Sequence, residues 1–185
     1  MKDVIEQAKA LQKELVEQRR YLHARAETGF SLRETRSFVE TMLTEYGYAP
    51  QECGKSGLVV CVGEGEKTML LRADMDGLPI VERTGLPYAC KDGNMHACGH
   101  DLHTTMLLGA AKLLKTREKA LKNRVKLLFQ PAEEILEGAS DVIEHGVLQN
   151  PKTDAAFALH VMTGTDVPTG TLVMQKGIGA PSADY

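Results

Sequence analysis

The 185-residue sequence predicts an α/β protein built on a layered sheet. Two observations carry that prediction. Segments with apolar residues at helical spacing alternate with short β-rich runs. Clusters of Asp, Glu and His then follow directly after the apolar runs, where layered sheets present their ligands. A hydrophobic fraction of 43% and a charged fraction of 25% fit a globular domain with a sizeable core.

Taken in order, residues 4–26 read as one amphipathic helix, with Val4, Ile5, Ala8, Leu11, Leu15 and Leu22 at helical spacing. Thr28-Gly29 ends it. Ser31 with Glu34 three residues on has the form of a capping box and opens a second helix, which Gly47 closes ahead of Pro50. Residues 57–62 and 68–73 are strands, and Gly63-Glu64-Gly65-Glu66 between them suggests a hairpin. Residues 74–99 lack periodicity, and a loop of that length inside a domain is usually functional. A helix over 101–116, a strand over 125–129, a short helix over 139–147 and strands over 154–161 and 170–174 complete the expectation.

Bulk properties exclude several classes. A net charge of −3 with dispersed Lys and Arg gives no footprint for nucleic acid or an anionic membrane. The basic run 112–124 reads as the solvated end of a helix. No apolar run approaches the ~20 residues needed to span a bilayer, and residues 1–15 lack the apolar stretch of a signal peptide. Cys53, Cys61, Cys90 and Cys98 are therefore expected to be reduced thiols in a cytoplasmic protein. G-x-G-x-x-G, Walker and G-x-S-x-G patterns are absent, which argues against nucleotide binding and serine hydrolysis.

Chemistry concentrates in Met95-His96-Ala97-Cys98-Gly99-His100-Asp101-Leu102-His103, where one thiol, three imidazoles and a carboxylate share nine residues. Cys98 and His100, two apart, can face one cation. A closed structural zinc site from Cys90, His96, Cys98 and His100 is an alternative, although the spacing of Cys90 and Cys98 fits no tight knuckle. Glu133 and Glu134 are either anions at a helix start or a divided pair, one binding the cation and one taking a proton from water. Asp74 and Asp76 form a turn, or one of them accepts the second N–H of a ligating histidine. His160 is read as a further nitrogen ligand, and His103 as a neighbour supporting the ligands. His145 is read as a charge at a helix C-terminus, and nothing in the sequence draws His23 into the site.

In sequence order these segments resemble the metal-dependent amidohydrolases of the aminoacylase and carboxypeptidase superfamily, in the branch of hippurate hydrolases and indole-acetyl-amino-acid hydrolases. The resemblance rests on Arg19 to His23, Arg72-Ala73-Asp74-Met75-Asp76-Gly77-Leu78-Pro79, Asn94 to His103, Phe129-Gln130-Pro131-Ala132-Glu133-Glu134 and Ala158-Leu159-His160. It implies a three-layer αβα sandwich with a mixed sheet, incomplete in this chain. It also implies two divalent ions (zinc, manganese, cobalt or nickel) held by Cys98, His100, Glu134 and His160. Glu133 would be the general base and Asp76 the orienting aspartate, with Asp74 standing where the wider superfamily has a metal-binding histidine. The implied substrate is an N-acyl amino acid or small peptide-like amide. Ile135-Leu136-Glu137 depart from the glycines common at that point.

The same resemblance makes residues 1–180 the first part of a catalytic domain and 181–185 the start of a hinge to a lid and dimerisation domain. On that reading the chain is truncated, lacks a fifth ligand, binds metal weakly by itself and turns over little. The complete protein would be a homo-oligomer. A non-catalytic metal-binding protein and a structural zinc module are the competing classes.

Overall fold

The computed structural model describes residues 2–162 and 168–173. Its elements are α1 (Lys2–Ala10), α2 (Gln12–His23), α3 (Arg33–Glu45), β1 (Gln51–Cys53), β2 (Gly57–Val62), β3 (Thr68–Asp74), α4 (His100–Thr116), β4 (Arg124–Gln130), α5 (Gly138–Glu144) and β5 (Ala155–Ala158). The five strands form one sheet in the order β1-β2-β4-β3-β5. β1 with β2 and β2 with β4 are antiparallel, while β3 runs parallel to both β4 and β5.

Alternation along the strands sorts side chains onto two faces. Leu58, Val60, Val62, Ala73, Leu127 and Phe129 pack with Val39 and Leu43 of α3 and Leu107, Leu108 and Ala111 of α4. Leu70 and Leu128 point the other way and pack with Val142 of α5 and with Val147. The result is helix, mixed sheet and helix in three layers, as the sequence resemblance implied. Lys126 also takes the α5 side, and its buried ammonium donates to the carbonyls of Val147 and Pro151. Those two bonds satisfy a buried charge and fix the turn leading into β5.

Several expectations are corrected. The first helix is two, because a turn at Leu11 separates α1 from α2. Ser31 does not cap α3. The Glu27 carboxylate accepts the N–H groups of Glu34 and Thr35 (3.1 and 2.8 Å), so the cap arrives from the preceding loop. β2 and β3 do not form a hairpin, because β4 lies between them and pairs with both. The hairpin is β1–β2, turned at Gly54 with φ +69°. Residues 170–173 carry no strand, and Met174 lies outside the described residues, as do 181–185. The four cysteines are free, as expected for reduced thiols. Among the described residues no helix is long and apolar enough to cross a membrane.

The long segment after β3 is tied down along its length. Met75 donates to Gln130 O, Gly77 to Glu27 O, and Leu78 and Met95 exchange backbone bonds. The Asn94 amide donates to Ala26 O. These bonds lay the loop beside the C-terminal ends of β3, β4 and β5 and deliver Cys98 to the first turn of α4.

Candidate metal centre

The sequence-predicted donors converge at the carboxyl ends of three parallel strands. Asp74 ends β3, Glu133 and Glu134 follow β4, and His160 lies two residues beyond β5. Cys98 and His100 flank Gly99, the N-cap of α4. Three donor groups each have their atoms within 4.8 Å of one another: Cys98, His100 and His160; Asp74, His100 and His103; and His100, Glu133 and Glu134. His100 belongs to all three. Cys90 and His96 belong to none, so the structural zinc module is not assembled.

Ring orientations follow from hydrogen bonds. His100 Nδ1 donates to the Asp76 carbonyl at 2.8 Å, which turns Nε2 and its lone pair into the cluster. His160 Nδ1 donates to the Val161 carbonyl at 2.7 Å, leaving Nε2 facing Cys98 Sγ at 3.3 Å. His100 Nε2 lies 3.6 Å from Asp74 Oδ2 and 3.7 Å from both Glu133 Oε2 and Glu134 Oε1. Donors about 2.1 Å from a tetrahedral cation sit roughly 3.4 Å apart, so this spacing suits a shared ion. Buried His100 Nε2 and Glu134 Oε1 also have no hydrogen-bond partner in the protein. Unpaired buried polar atoms are costly unless something binds them. Thiolate, imidazole and carboxylate together therefore fit a divalent metal.

Electrostatics point the same way. Burial and the nearby Glu134, Glu133 and Asp74 push the Cys98 thiol up to about 12. Burial, opposed by His100 but aided by Glu133, Asp76 and Asp74, also raises Glu134. Burial opposes charge on His100, but the Asp76 bond and the charges of Asp74 and Glu134 raise it overall. The cluster is short of positive charge, which a bound cation supplies.

The two aspartates divide their work. Asp76 Oδ1 and Oδ2 accept the backbone N–H groups of Glu133 and Glu134 at 2.9 and 3.1 Å, so its carboxylate aims the paired glutamates. Those glutamates sit between Ala132 and Leu136, both at positive φ (+52° and +58°). Asp74 Oδ1 lies 2.6 Å from His103 Nδ1, and its other oxygen accepts from Arg72 at 2.7 Å. Burial pushes Asp74 up, yet His103, Arg72 and His100 hold it well below the usual carboxylate range. His103 Nε2 accepts the Val161 N–H, so its second nitrogen is committed away from the cluster.

His23 is the residue that the sequence reading left out. It is 3% exposed and bonds Asp101 and Glu82. Only its place in Arg19 to His23, one turn from Arg19, could have flagged it. His96 packs near its ring, 6.4 Å between centroids, and burial takes His96 down to about 4.

Known proteins with the same segments extend these observations. The chain is 46% identical over 171 residues to N-acetyl-L-cysteine deacetylase of Bacillus subtilis, covering 90% of this chain and 40% of that protein. It is 42% identical over 179 residues to hippurate hydrolase of Campylobacter jejuni, covering 94% of this chain and 45% of that protein. It thus spans a little under half the length of these curated relatives. A crystal structure from Bacillus subtilis, described as a dinuclear metal binding peptidase from the M20 family, superposes with a TM-score of 0.85 at 40% identity. That match covers 91% of this chain and 48% of the other. Residues 70–177, which carry every donor named above, match the peptidase family M20/M25/M40, and with the shared fold and donor set this places the chain in that family.

Proposed function

We propose that the protein hydrolyses the amide bond of N-acyl amino acids or small peptide-like amides at a site holding two divalent metal ions. The convergence of Cys98, His100, Glu133, Glu134 and His160, with His100 Nε2 buried and unpartnered, carries this reading. The names of the relatives support the substrate class, since N-acetylcysteine and hippurate are both N-acyl amino acids. Cys98, His100, Glu134 and His160 hold the cations, and zinc, manganese, cobalt and nickel all suit that mixed donor set. When bound, such a pair supplies Lewis-acid activation of water and of the scissile carbonyl.

The residues of the chain do the rest. Glu133, on the face of the cluster next to His100, takes the proton of the attacking water and returns it to the leaving amine nitrogen. Asp76 holds Glu133 and Glu134 at fixed aim through their backbone N–H groups. Asp74 and His103 brace the segment that follows β5. The products are a carboxylate and a free amino acid.

The test is a panel of N-acetyl, N-benzoyl and indole-acetyl amino acids, assayed on the complete protein with each of the four metals and with chelator. Metal-dependent release of free amino acid is expected, and Glu133→Gln abolishes it while metal stays bound. Stoichiometric metal binding with no hydrolysis of any member would favour a non-catalytic metal-binding protein.

A further inference from the structure

The cysteine- and histidine-rich motif divides between two sides. Cys98 and His100 face the donor cluster, whereas His96 and Asp101 face α2. On that second side, His23 Nδ1 lies 2.8 Å from Asp101 Oδ2 and Nε2 lies 3.1 Å from Glu82 Oε1. Both carboxylates are fully enclosed. The other oxygen of Glu82 accepts the Cys90 N–H at 2.7 Å, and the Thr84 hydroxyl also donates to Glu82. Arg19 Nε donates to Asp101 at 2.6 Å. Tyr88 closes the cluster, edge-on to His23 at 5.5 Å and under the guanidinium of Arg20 at 5.0 Å.

We propose that His23 is a positioning residue for the metal centre, clamping the loop before α4 and the first turn of α4 to one helix. The inference rests on the metal-centre reading above. One imidazole joins residues 59 and 78 positions away in sequence, and Cys98 and His100 lie between or beside the two anchors. Both ring nitrogens face carboxylate oxygens, so the doubly protonated ring satisfies both. Without it, Glu82 and Asp101 are buried anions short of a partner, and the loop and helix carrying them separate. Cys98 Sγ and His100 Nε2 then lose their common placement, although neither touches His23. A second cation site is not the explanation. Among the described residues, His23, Glu82, His96 and Asp101 belong to no set of three or more donors that all come within 4.8 Å of one another.

The complete protein, stripped of metal, should be titrated with Co2+, reading the dissociation constant and the near-ultraviolet sulfur-to-cobalt band that reports Cys98 ligation. His23→Ala is expected to weaken binding about ten- to a hundredfold, the range for groups that orient ligands, and to diminish the band. His23→Asn keeps the Asp101 arm, His23→Gln keeps the Glu82 arm, and each falls between wild type and His23→Ala. Leu43→Ala, a core change in α3 away from the cluster, controls for lost stability and binds Co2+ like wild type when folded. If His23→Ala does not fold, Glu82→Gln and His23→Asn carry the test, and both are expected to weaken binding. The clamp is overturned if these variants match wild type, or if Leu43→Ala loses as much affinity. Failure of the complete wild-type protein to bind Co2+ overturns the metal-centre reading itself, and the clamp with it.

Discussion

Val161 donates its backbone N–H to His103 Nε2 at 2.9 Å. Because that nitrogen accepts, the ring proton sits on Nδ1 and goes to Asp74, 2.6 Å away. Arg72 in turn holds Asp74 and the side chain of Gln130. The ends of β3 and β4 are thereby wired to the residue after His160. In His103→Phe the ring shape survives but Val161 N–H and Asp74 Oδ1 lose a partner. Each such loss costs about 1–3 kcal/mol. Urea denaturation should show the drop, and amide exchange at Val161 should quicken. Wild-type stability with unchanged exchange would rule out the brace.

Gly99 separates two proposed ligands at φ +91°, and a Cβ there would lie 2.5 Å from Val161 Cγ2. Gly99→Ala therefore meets both backbone strain, roughly 1–3 kcal/mol, and a clash with a stiff β-branched side chain. The clash pushes the His160 segment away from Cys98. Metal affinity is expected to fall further than stability alone accounts for, measured by Zn2+ titration beside thermal melting. A Gly99→Ala variant that binds zinc normally contradicts this.

Leu136 is 60% exposed at φ +58°, so its side chain gains little burial for an unfavourable backbone. Leu136→Gly removes that strain, about 1–2 kcal/mol, against a glycine entropy cost of roughly 0.5–1 kcal/mol. Stability is expected to stay level or rise slightly. A clear loss in chemical denaturation would show that the leucine side chain has a packing role.

His23 gives a pH signature. The Asp101 hydrogen bond, aided by Glu82 and opposed by burial and Arg19, raises its folded-state value above 6.5. The folded chain thus keeps this proton to higher pH than the unfolded chain does. The stabilisation is complete below pH 6.5 and fades as pH rises through the higher folded value. Asp101 from α4 and Glu82 from the loop are lowered, and burial takes His96 down to about 4, so it is neutral over this range. The advantage of wild type over His23→Gln should shrink as pH rises above 6.5, read from paired denaturation curves. A constant difference would show that the ring does not titrate there.

The sequence exposed the candidate donors in two ways: Cys98 and His100 stand in a dense run of His and Cys, and an α/β reading makes Glu134 and His160 strand-end residues. What it concealed is non-local. Gly63 to Glu66 looks like a hairpin turn, but the next strand that pairs with β2 comes 62 residues after its end at Val62, at Arg124. Ser31 has the composition of a cap, yet Glu27 wins by offering two acceptors. Residues 170–173 have the short apolar composition of a strand without forming one. His23 was invisible because its partners are fixed only once the loop folds back onto α2. Lys126 shows the same thing: nothing in Val125 to Phe129 announces a lysine 1% exposed and held by two carbonyls.

The four residues of β5 are all exposed, and the strand is the last in the sheet, with β3 as its one neighbour among the described residues. The imidazole that closes the donor ring thus hangs from an edge rung held on one side alone among the described residues. Whatever shields that rim, whether further polypeptide or another subunit, stiffens the rung and tightens the grip on the cation without touching a single ligand.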